Sequence, residues 1–408
     1  MIGQKTICAI DLGSTHLTAA LARVNKKGKL DHVHIEEAAS RGIDNGVISD
    51  VASLSDAVQQ IAQSVKNKTK IKINEVIVNV NGNIVTCLDS QATIPLVEKG
   101  NKLISEKDID KVKHQAQLLG LNLEEEVLHE FVRSYSIDNY GEVKNPVGLY
   151  GRKIFVDLYL IISRSSYTDN IVEALGQAGL EVRNLVFSGL ASSKAVLTEH
   201  ELQNGCILIN MGASTTELLF FKAGVLKRVE IIKSGGNKIT ESIASYLKIP
   251  WELAEELKKS YVSAVLEEVR PDEEVLVKKT STYRPIKRKL ICESCKDSID
   301  EMIELIKDKI DKSSYKEIVE SGIVITGGAS HLSGLLEIVE SRIGLPTRLG
   351  KVKNVSSTAH RNPKYATVIG LIYHDIDNYF SNRHPIQKGK NFLESLKHQV
   401  RYLYQEYF

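Results

Sequence analysis

The sequence predicts an α/β protein of two related lobes, each built on a mixed sheet, with a small extra subdomain set into the first lobe. Three observations predict it. The stretch ICAIDLGSTHLTAALA, residues 7–22, is nearly repeated as CILINMGASTTELLFF, residues 206–221: an apolar run, an Asp or Asn, a glycine with small hydroxylated neighbours, then a second apolar run. The elements after each copy come in a similar order, two strands followed by helix and strand. From about residue 83 to 164 the texture changes to one helix and several alternating strands, which reads as an insert. A duplication of this length is no solenoid and fits paired lobes.

In chain order, KTICAIDLG and HLTAALARV read as strands around a tight turn, because apolar and β-branched residues flank Gly13. DVASLSDAVQQIAQSVKNK spaces Val51, Leu54, Val58, Ile61, Ala62 and Val65 helically behind a capping Asp50, and EVIVNVNG is a buried strand ending at Gly82. In the insert, Ser105 and Asp108 open the helix SEKDIDKVKHQAQLLGL as a capping box, and EVLHEFVRSYSID, NPVGLYG and KIFVDLYLIISR alternate like strands. SYTDNIVEALGQAGL reads as a helix, EVRNLVFSG as a strand and LASSKAVLTEHEL as a helix. After the second copy come the strand GVLKRVEIIKSG and the helices GGNKITESIASYLKI and PWELAEELKKSYV. A polar connector from about 267 to 285 leads into the helical pattern RKLICESCKDSIDEMIELIKDKI. GIVITGGASHLSGLLEIVESRIG is strand, Gly-Gly turn and helix; PKYATVIGLIYHDI is the last ordered element, and SNRHPIQKGK a linker.

Composition narrows the function. With 408 residues and 42% hydrophobic content the chain can fill real cores, and 53 basic against 51 acidic residues give no global field toward nucleic acid. The N-terminus lacks a secretory pattern and no run reaches the length of a spanning helix, so a cytoplasmic chain is expected. Cys8, Cys87, Cys206, Cys292 and Cys295 are scattered and odd in number, which argues against a disulfide framework. CESC lies within a helical pattern and no second pair completes a zinc site.

Each repeated phrase suits an anion. A glycine turn lets a phosphate approach the main chain, and small hydroxyls beside it add donors without charge. Two such hairpins facing each other would cradle a polyphosphate, with Asp11 and Asn210 at the strand ends holding Mg2+ through water. One such turn alone is ordinarily structural; the repetition carries the weight. Gly327 and Gly328 can lie flat beneath a purine, or form a plain strand-to-helix turn. Glu255 and Lys258, three apart on a helical face, are within reach of a ribose, or form a solvated ion pair.

On these residues the chain resembles the actin, heat-shock chaperone and sugar kinase superfamily. Within it, the chain resembles the FtsA family of bacterial cell-division proteins from residue 7 to about 373. SRGIDNGVISD, VIVNVNG, GNKITESIA, AEELK and VITGGASHLSG match that family in order and spacing. The insert LHEFVRSYSIDNYGEVKNPVGLYG is the decisive part, because actin and the chaperones carry a different subdomain in a different place. The resemblance implies an actin-like fold and a cytoplasmic protein that binds ATP and Mg2+ and polymerises. It further implies binding to the C-terminal tail of the tubulin-like FtsZ, recruitment of other division proteins, and attachment to the inner face of the cell membrane at the division site. By resemblance, Asp11, Gly13, Ser14 and Thr15 match the first phosphate motif, and Gly212, Ser214, Thr215 and Thr216 the second, with Ala213 lining the same turn where the family has a glycine. Gly236 and Asn237 match the stretch beside the nucleotide, Glu255 and Lys258 the ribose contacts, and Gly327, Gly328 and Ala329 the adenosine motif. For the FtsZ tail the resemblance points to RPIKRKLICESCK, with Arg284, Lys287, Arg288 and Lys296 facing an acidic peptide; a solvated basic helix face is the alternative.

The implied division takes residues 1–82, with 165–198 and about 355–380, as the first lobe core, and 83–164 as the insert. Residues 199–234 with 314–354 form the second lobe core and 235–313 its smaller subdomain; 381–390 is a linker and 391–408 a tail. The second motif departs from the family, which has Asp, then Gly-Gly, then an Asp after the threonines. Here stand Asn210, Gly212-Ala213 and Glu217. Asn can accept a bond from a magnesium-bound water but adds no charge and takes no proton, so binding is expected to survive better than hydrolysis, leaving at most a slow ATPase. A PilM-like assembly factor and a small-molecule kinase are the alternatives. The insert and the tail oppose the first, and the lack of an evident carboxylate base opposes the second.

In the tail KNFLESLKHQVRYLYQEYF, Phe392, Leu393, Leu396, Val400, Leu403, Tyr404, Tyr407 and Phe408 fall within an arc of roughly 160° at about 100° per residue, with Lys397 and Arg401 toward one border. Too short to span a bilayer, such a helix suits the headgroup plane, or docks on the protein or a second copy.

Overall fold

The computed structural model describes residues 5–25, 28–97, 100–138, 140–279 and 282–381. The first lobe opens with the antiparallel meander β1 (Lys5–Leu12), β2 (His16–Val24) and β3 (Leu30–Ala39). A small hairpin, β4 (Ile43–Asp44) and β5 (Val47–Ile48), precedes helix α1 (Val51–Thr69) and strand β6 (Glu75–Val80). The Asp50 carboxylate accepts from the backbone N–H of Ala52 and Ser53, at 3.0 and 3.2 Å, and Leu54, Val58, Ile61 and Val65 turn the apolar face of α1 inward.

The insert comprises β7 (Val85–Pro95), β8 (Lys102–Leu103), α2 (Glu106–Gly120), β9 (Glu125–Ile137), β10 (Tyr140–Val143), β11 (Tyr150–Gly151) and β12 (Lys153–Arg164). Its sheet runs β10-β9-β12-β7 and closes its own core with α2 around Val112, Ala116, Leu158 and Leu160. The chain returns to the first lobe through α3 (Ser165–Gln177), β13 (Glu181–Phe187) and α4 (Ser188–Val196), and α5 (Glu199–Asn204) leads into the second lobe, where Glu201 bonds Arg348.

The second lobe holds β14 (Cys206–Met211), β15 (Thr216–Lys222) and β16 (Val225–Ile232), then α6 (Gly236–Leu247) and α7 (Trp251–Tyr261). Next come the hairpin β17 (Glu274–Lys279) and β18 (Thr282–Lys287), α8 (Arg288–Glu293), α9 (Lys296–Asp311), β19 (Ile323–Thr326), α10 (Leu335–Ile343) and β20 (Thr347–Leu349). Helix α11 (Ala366–Ser381) packs back on the first lobe against α4 and β1. At Gly370 an added Cβ would stand 1.8 Å from the Ala191 carbonyl, so only glycine lets α11 and α4 touch there.

The duplication is visible in topology. The two five-stranded sheets run β3-β2-β1-β6-β13 and β16-β15-β14-β19-β20, each an antiparallel meander extended by two parallel strands. Four expectations change. LASSKAVLTEHEL splits into α4 and α5 because Thr198 and Glu201 form a fresh capping box. The helix carrying CESC breaks between α8 and α9, with Cys295 in a non-helical conformation ahead of α9. The polar connector contains the hairpin β17–β18, whose Val275 and Val277 are buried beneath charged neighbours. Of NPVGLYG only Tyr150–Gly151 pairs as strand.

Candidate functional site

The two glycine hairpins meet. In the first, Asp11 pairs across with Thr18 and Leu12 with Leu17; in the second, Asn210 pairs with Glu217 and Met211 with Thr216. Between the turns Ser14 Oγ and Ser214 Oγ lie 2.6 Å apart, one hydroxyl from each lobe. The first turn is held from behind, where the Leu12 N–H donates to Asn79 Oδ1 at 2.6 Å and the Asn79 amide donates to Ser188 Oγ at 3.0 Å. The second is held by the start of α6, whose Gly236 and Asn237 N–H groups donate to the carbonyls of Gly212 and Ala213 at 3.0 and 2.8 Å. That approach requires glycine at 235, where a Cβ would stand 2.5 Å from the Gly212 oxygen.

The other motif residues border the same cleft. Gly327, with φ +91°, packs under the second hairpin, where a Cβ would meet the Met211 carbonyl at 2.4 Å and Asn210 Oδ1 at 2.8 Å, whereas Gly328 faces open space. The expected helix after this turn begins only at Leu335, behind a single 3-10 turn over Gly328–His331. Lys258 donates to the Gly236 carbonyl at 3.0 Å and to Thr240 Oγ1 at 2.8 Å, and pairs with Glu255 at 2.6 Å. The Gly236 Cα and Ala329 complete this wall. The sequence thus brings Asp11, Gly13, Ser14, Thr15, Asn210, Gly212, Ala213, Ser214, Thr215, Gly236, Asn237, Glu255, Lys258, Gly327, Gly328 and Ala329 together where the two hairpins meet, whereas Thr216 is fully buried and its hydroxyl donates to the Ser234 carbonyl at 2.9 Å.

The electrostatics of the cleft centre on two carboxyls. Asp11 loses hydration between the lobes and is pushed up to about 7. Glu217, 1% exposed, is also pushed up to about 7, chiefly by burial and further by the Asp11 charge, against hydrogen bonds that favour its ionised form. Those bonds come from Asn210 Nδ2 and from the Gly82 N–H of the first lobe, each at 3.0 Å. Glu217 therefore spans the lobes and occupies the Asn210 amide. Burial alone would raise Glu255, but bonds from Lys258 and Thr240 hold it below the usual carboxylate range, while burial lowers Lys258. His16 is lowered by lost hydration and by the field of Lys259. Sequence reasoning gave Glu217 no contact and missed Gly82, Asn79 and Thr240. An acid inside the apolar run TTELLFF was the available signal for Glu217.

A family model described as "Cell division protein FtsA" matches residues 207–370, and one described as "SHS2 domain inserted in FTSA" matches 82–162, together more than half of the chain. The chain belongs to the FtsA family. It is 28% identical to the cell division protein FtsA of Pseudomonas aeruginosa over 377 residues, covering 91% of this chain and 89% of that protein. It is 26% identical to the Escherichia coli K12 FtsA over 396 residues, 94% of each. With the FtsA of Buchnera aphidicola subsp. Baizongia pistaciae it shares 28% identity, covering 99% of this chain and 97% of that protein. Among solved structures, a PilM-PilN type IV pilus biogenesis complex superposes with a TM-score of 0.66 at 15% identity, over 92% of this chain and 99% of the other. The AMPPNP-bound MreB5 of Spiroplasma citri gives 0.53 at 14% identity, over 93% and 99%. The fold is therefore actin-like and two-lobed, with an SHS2 insert.

The basic residues on RPIKRKLICESCK do not share one helix face. Arg284 and Lys287 are exposed on β18, whereas Arg288 is tied to Glu273 at 3.0 Å and the Tyr261 carbonyl at 2.8 Å, and Lys296 pairs with Asp300 one turn along α9. Cys292 and Cys295 are buried with their thiols pushed up by burial, Cys295 to about 12. Among the described residues no group of three or more His, Cys, Asp or Glu gathers as a metal site, and no helix is long and apolar enough to cross a membrane. Phe392, Leu393, Leu396, Val400, Leu403, Tyr404, Tyr407 and Phe408 lie outside the described residues.

Proposed function

We propose that the protein binds Mg2+-ATP in the interlobe cleft and polymerises on the cytoplasmic face of the cell membrane. In this reading it ties FtsZ filaments to the division site through the FtsZ tail and recruits other division proteins. One observation carries the reading: the hydroxyls of Ser14 and Ser214, one from each duplicated hairpin, meet at 2.6 Å, so both turns face one ligand volume. Backbone N–H groups and hydroxyls of residues 13–15 and 212–215 would hold the phosphates, and Asp11 and Asn210 Oδ1 the magnesium shell through water. Gly327, Gly328 and Ala329 would line the base, and Glu255 with Lys258 the ribose. In the smaller subdomain of the second lobe, Arg284 and Lys287 are exposed cations for an acidic tail, with Arg288 and Lys296 as its frame. The apolar face of residues 391–408 would lie among lipid headgroups.

With one carboxylate missing at Asn210 and Glu217 committed to Gly82, turnover is slow: ATP hydrolysis stays below about one per second. The test mixes the full chain with Mg2+-ATP, vesicles and the FtsZ tail peptide. Nucleotide-dependent filaments on lipid that retain the peptide support the proposal. Equilibrium dialysis showing no ATP binding would sink it, and brisk turnover would sink the slow-ATPase part alone.

A further inference from the structure

The pole of the first lobe opposite the cleft carries cations that no part of the cleft uses. From Ala57 to Asn74 there is no acidic residue, and Lys66, Lys68, Lys70 and Lys72 crowd the last turn of α1 and the chain leading to β6. All four are exposed. Lys68 reaches Glu36 at 2.9 Å, whereas Lys66, Lys70 and Lys72 make no ion pair among the described residues.

The same pole is where the chain leaves for its tail. β1 and β6 are parallel with Ala9 opposite Ile77, which sets Lys5 level with Ile73, beside Lys72. The Lys5 ammonium in turn bonds Asp375 at 3.1 Å and lies 4.1 Å above the Tyr379 ring, on the last turns of α11. Acids at this end are few and mostly engaged: Glu75 lies 3.8 Å from Arg183, the buried Asp375 bonds Lys5 and Arg183, the exposed Asp377 pairs with Lys194, and Glu181 is exposed with no ion pair among the described residues. The chain then continues from Ser381 to Phe408.

We propose that this lysine pole is a second membrane contact, which binds anionic lipid headgroups alongside the tail. The inference rests on the membrane reading above. A linker of about ten residues reaches at most about 35 Å when extended, so a tail lying in the headgroup plane keeps the pole close to the surface. A single interfacial segment anchors weakly, and a polybasic patch supplies the second signal that stable attachment needs. Near an anionic surface each lysine adds about fivefold in affinity. The position beside the chain exit favours a lipid surface over an acidic protein, whose docking would need no such proximity.

The experiment measures partition of the full chain, without nucleotide, onto phosphatidylcholine vesicles with and without phosphatidylglycerol. Wild type is compared with the combined variant Lys66→Gln, Lys70→Asn, Lys72→Gln, the Asn chosen because Lys70 sits at φ 62°. A charge-matched control carries Lys107→Gln, Lys111→Gln and Lys248→Asn, all exposed elsewhere. The expected result is a loss of at least about tenfold on anionic vesicles for the pole variant only, no change on neutral vesicles, and convergence with wild type at about 0.5 M salt. Equal loss in the control, or a pole variant that keeps the anionic preference, overturns the inference. So does polyglutamate binding the pole as tightly as the vesicles. If wild type binds neutral vesicles and gains nothing from anionic lipid, this inference fails and the tail reading stands; if it binds neither, both fail.

Discussion

The two hairpins share a register but place their charge on opposite strands. In the first, the acid is on the leading strand and faces a hydroxyl, Asp11 against Thr18; in the second, the leading strand is neutral and the acid stands opposite, Asn210 against Glu217. Each hairpin keeps one buried carboxyl, and both are pushed up to about 7. The difference lies in where the carboxyl points. Asp11 is partly open to the cleft, while Glu217 is sealed against Gly82 at the root of the insert and takes the Asn210 amide as its donor. A duplicated fold has thus kept one buried carboxyl in each hairpin and turned that of the second toward joining the lobes.

The supports of the hairpins differ too, which gives the largest expected effect. The first turn leans on one side chain, Asn79, and the second on the backbone of α6 through Gly235. Gly235→Ala would drive a methyl to 2.5 Å from the Gly212 oxygen and 2.8 Å from that of Ala213. The expected cost is about 3 kcal/mol in a denaturant titration, with nucleotide binding lost as the turn shifts. Asn79→Ala, which leaves the Leu12 N–H unpaired, is expected to cost about 1–3 kcal/mol. Equal costs would mean that the hairpins are supported alike.

Restoring the symmetric acid tests the charge placement. Asn210→Asp sets a second carboxyl against Glu217 and removes the amide donor, so one of the pair is held protonated still higher. Both states are protonated below the unfolded value near 4, so the variant matches wild type there. The deficit grows as pH rises toward the raised folded value and levels off above it. Wild type itself loses stability from about pH 4 to 7 through Asp11 and Glu217, and Glu217→Gln flattens that slope. With Mg2+ bound, the same Asp is expected to raise ATP turnover by about tenfold or more. Thermal unfolding across pH and a phosphate-release assay read the two effects separately.

Much of this was legible in the sequence because the repeat fixed two strand pairs and the glycine turns between them. The apolar stripe of α1 and the capping pair Ser105 and Asp108 behaved as local rules require. Local rules failed where distant partners decide. The hairpin β17–β18 was hidden because its outward residues, such as Glu274 and Lys287, mask the buried Val275 and Val277. Arg288 looked free in a basic run, yet Glu273 and Tyr261 claim it. Glu217 was noted only as a departure from the family, since nothing local foretold that its carboxylate meets a backbone N–H 135 residues away in sequence.

The smallest expected effect addresses the contact between the hairpins itself. A hydroxyl pair at 2.6 Å that is partly buried contributes about 1 kcal/mol, so Ser14→Ala and Ser214→Ala alone should each shift stability by about that amount. The informative quantity is their coupling. In a double-mutant cycle without nucleotide the two residues should show an interaction of about 0.5–1.5 kcal/mol, because removing one hydroxyl leaves the other without its partner. A triphosphate between the turns must take those hydroxyls for itself, since each offers a single proton. With saturating nucleotide the coupling between the two serines should therefore fall toward zero, while each single variant weakens binding. Coupling that persists unchanged in the presence of nucleotide would mean that the hydroxyls bind each other and not the ligand, and that the twin hairpins close the lobes without gripping phosphate.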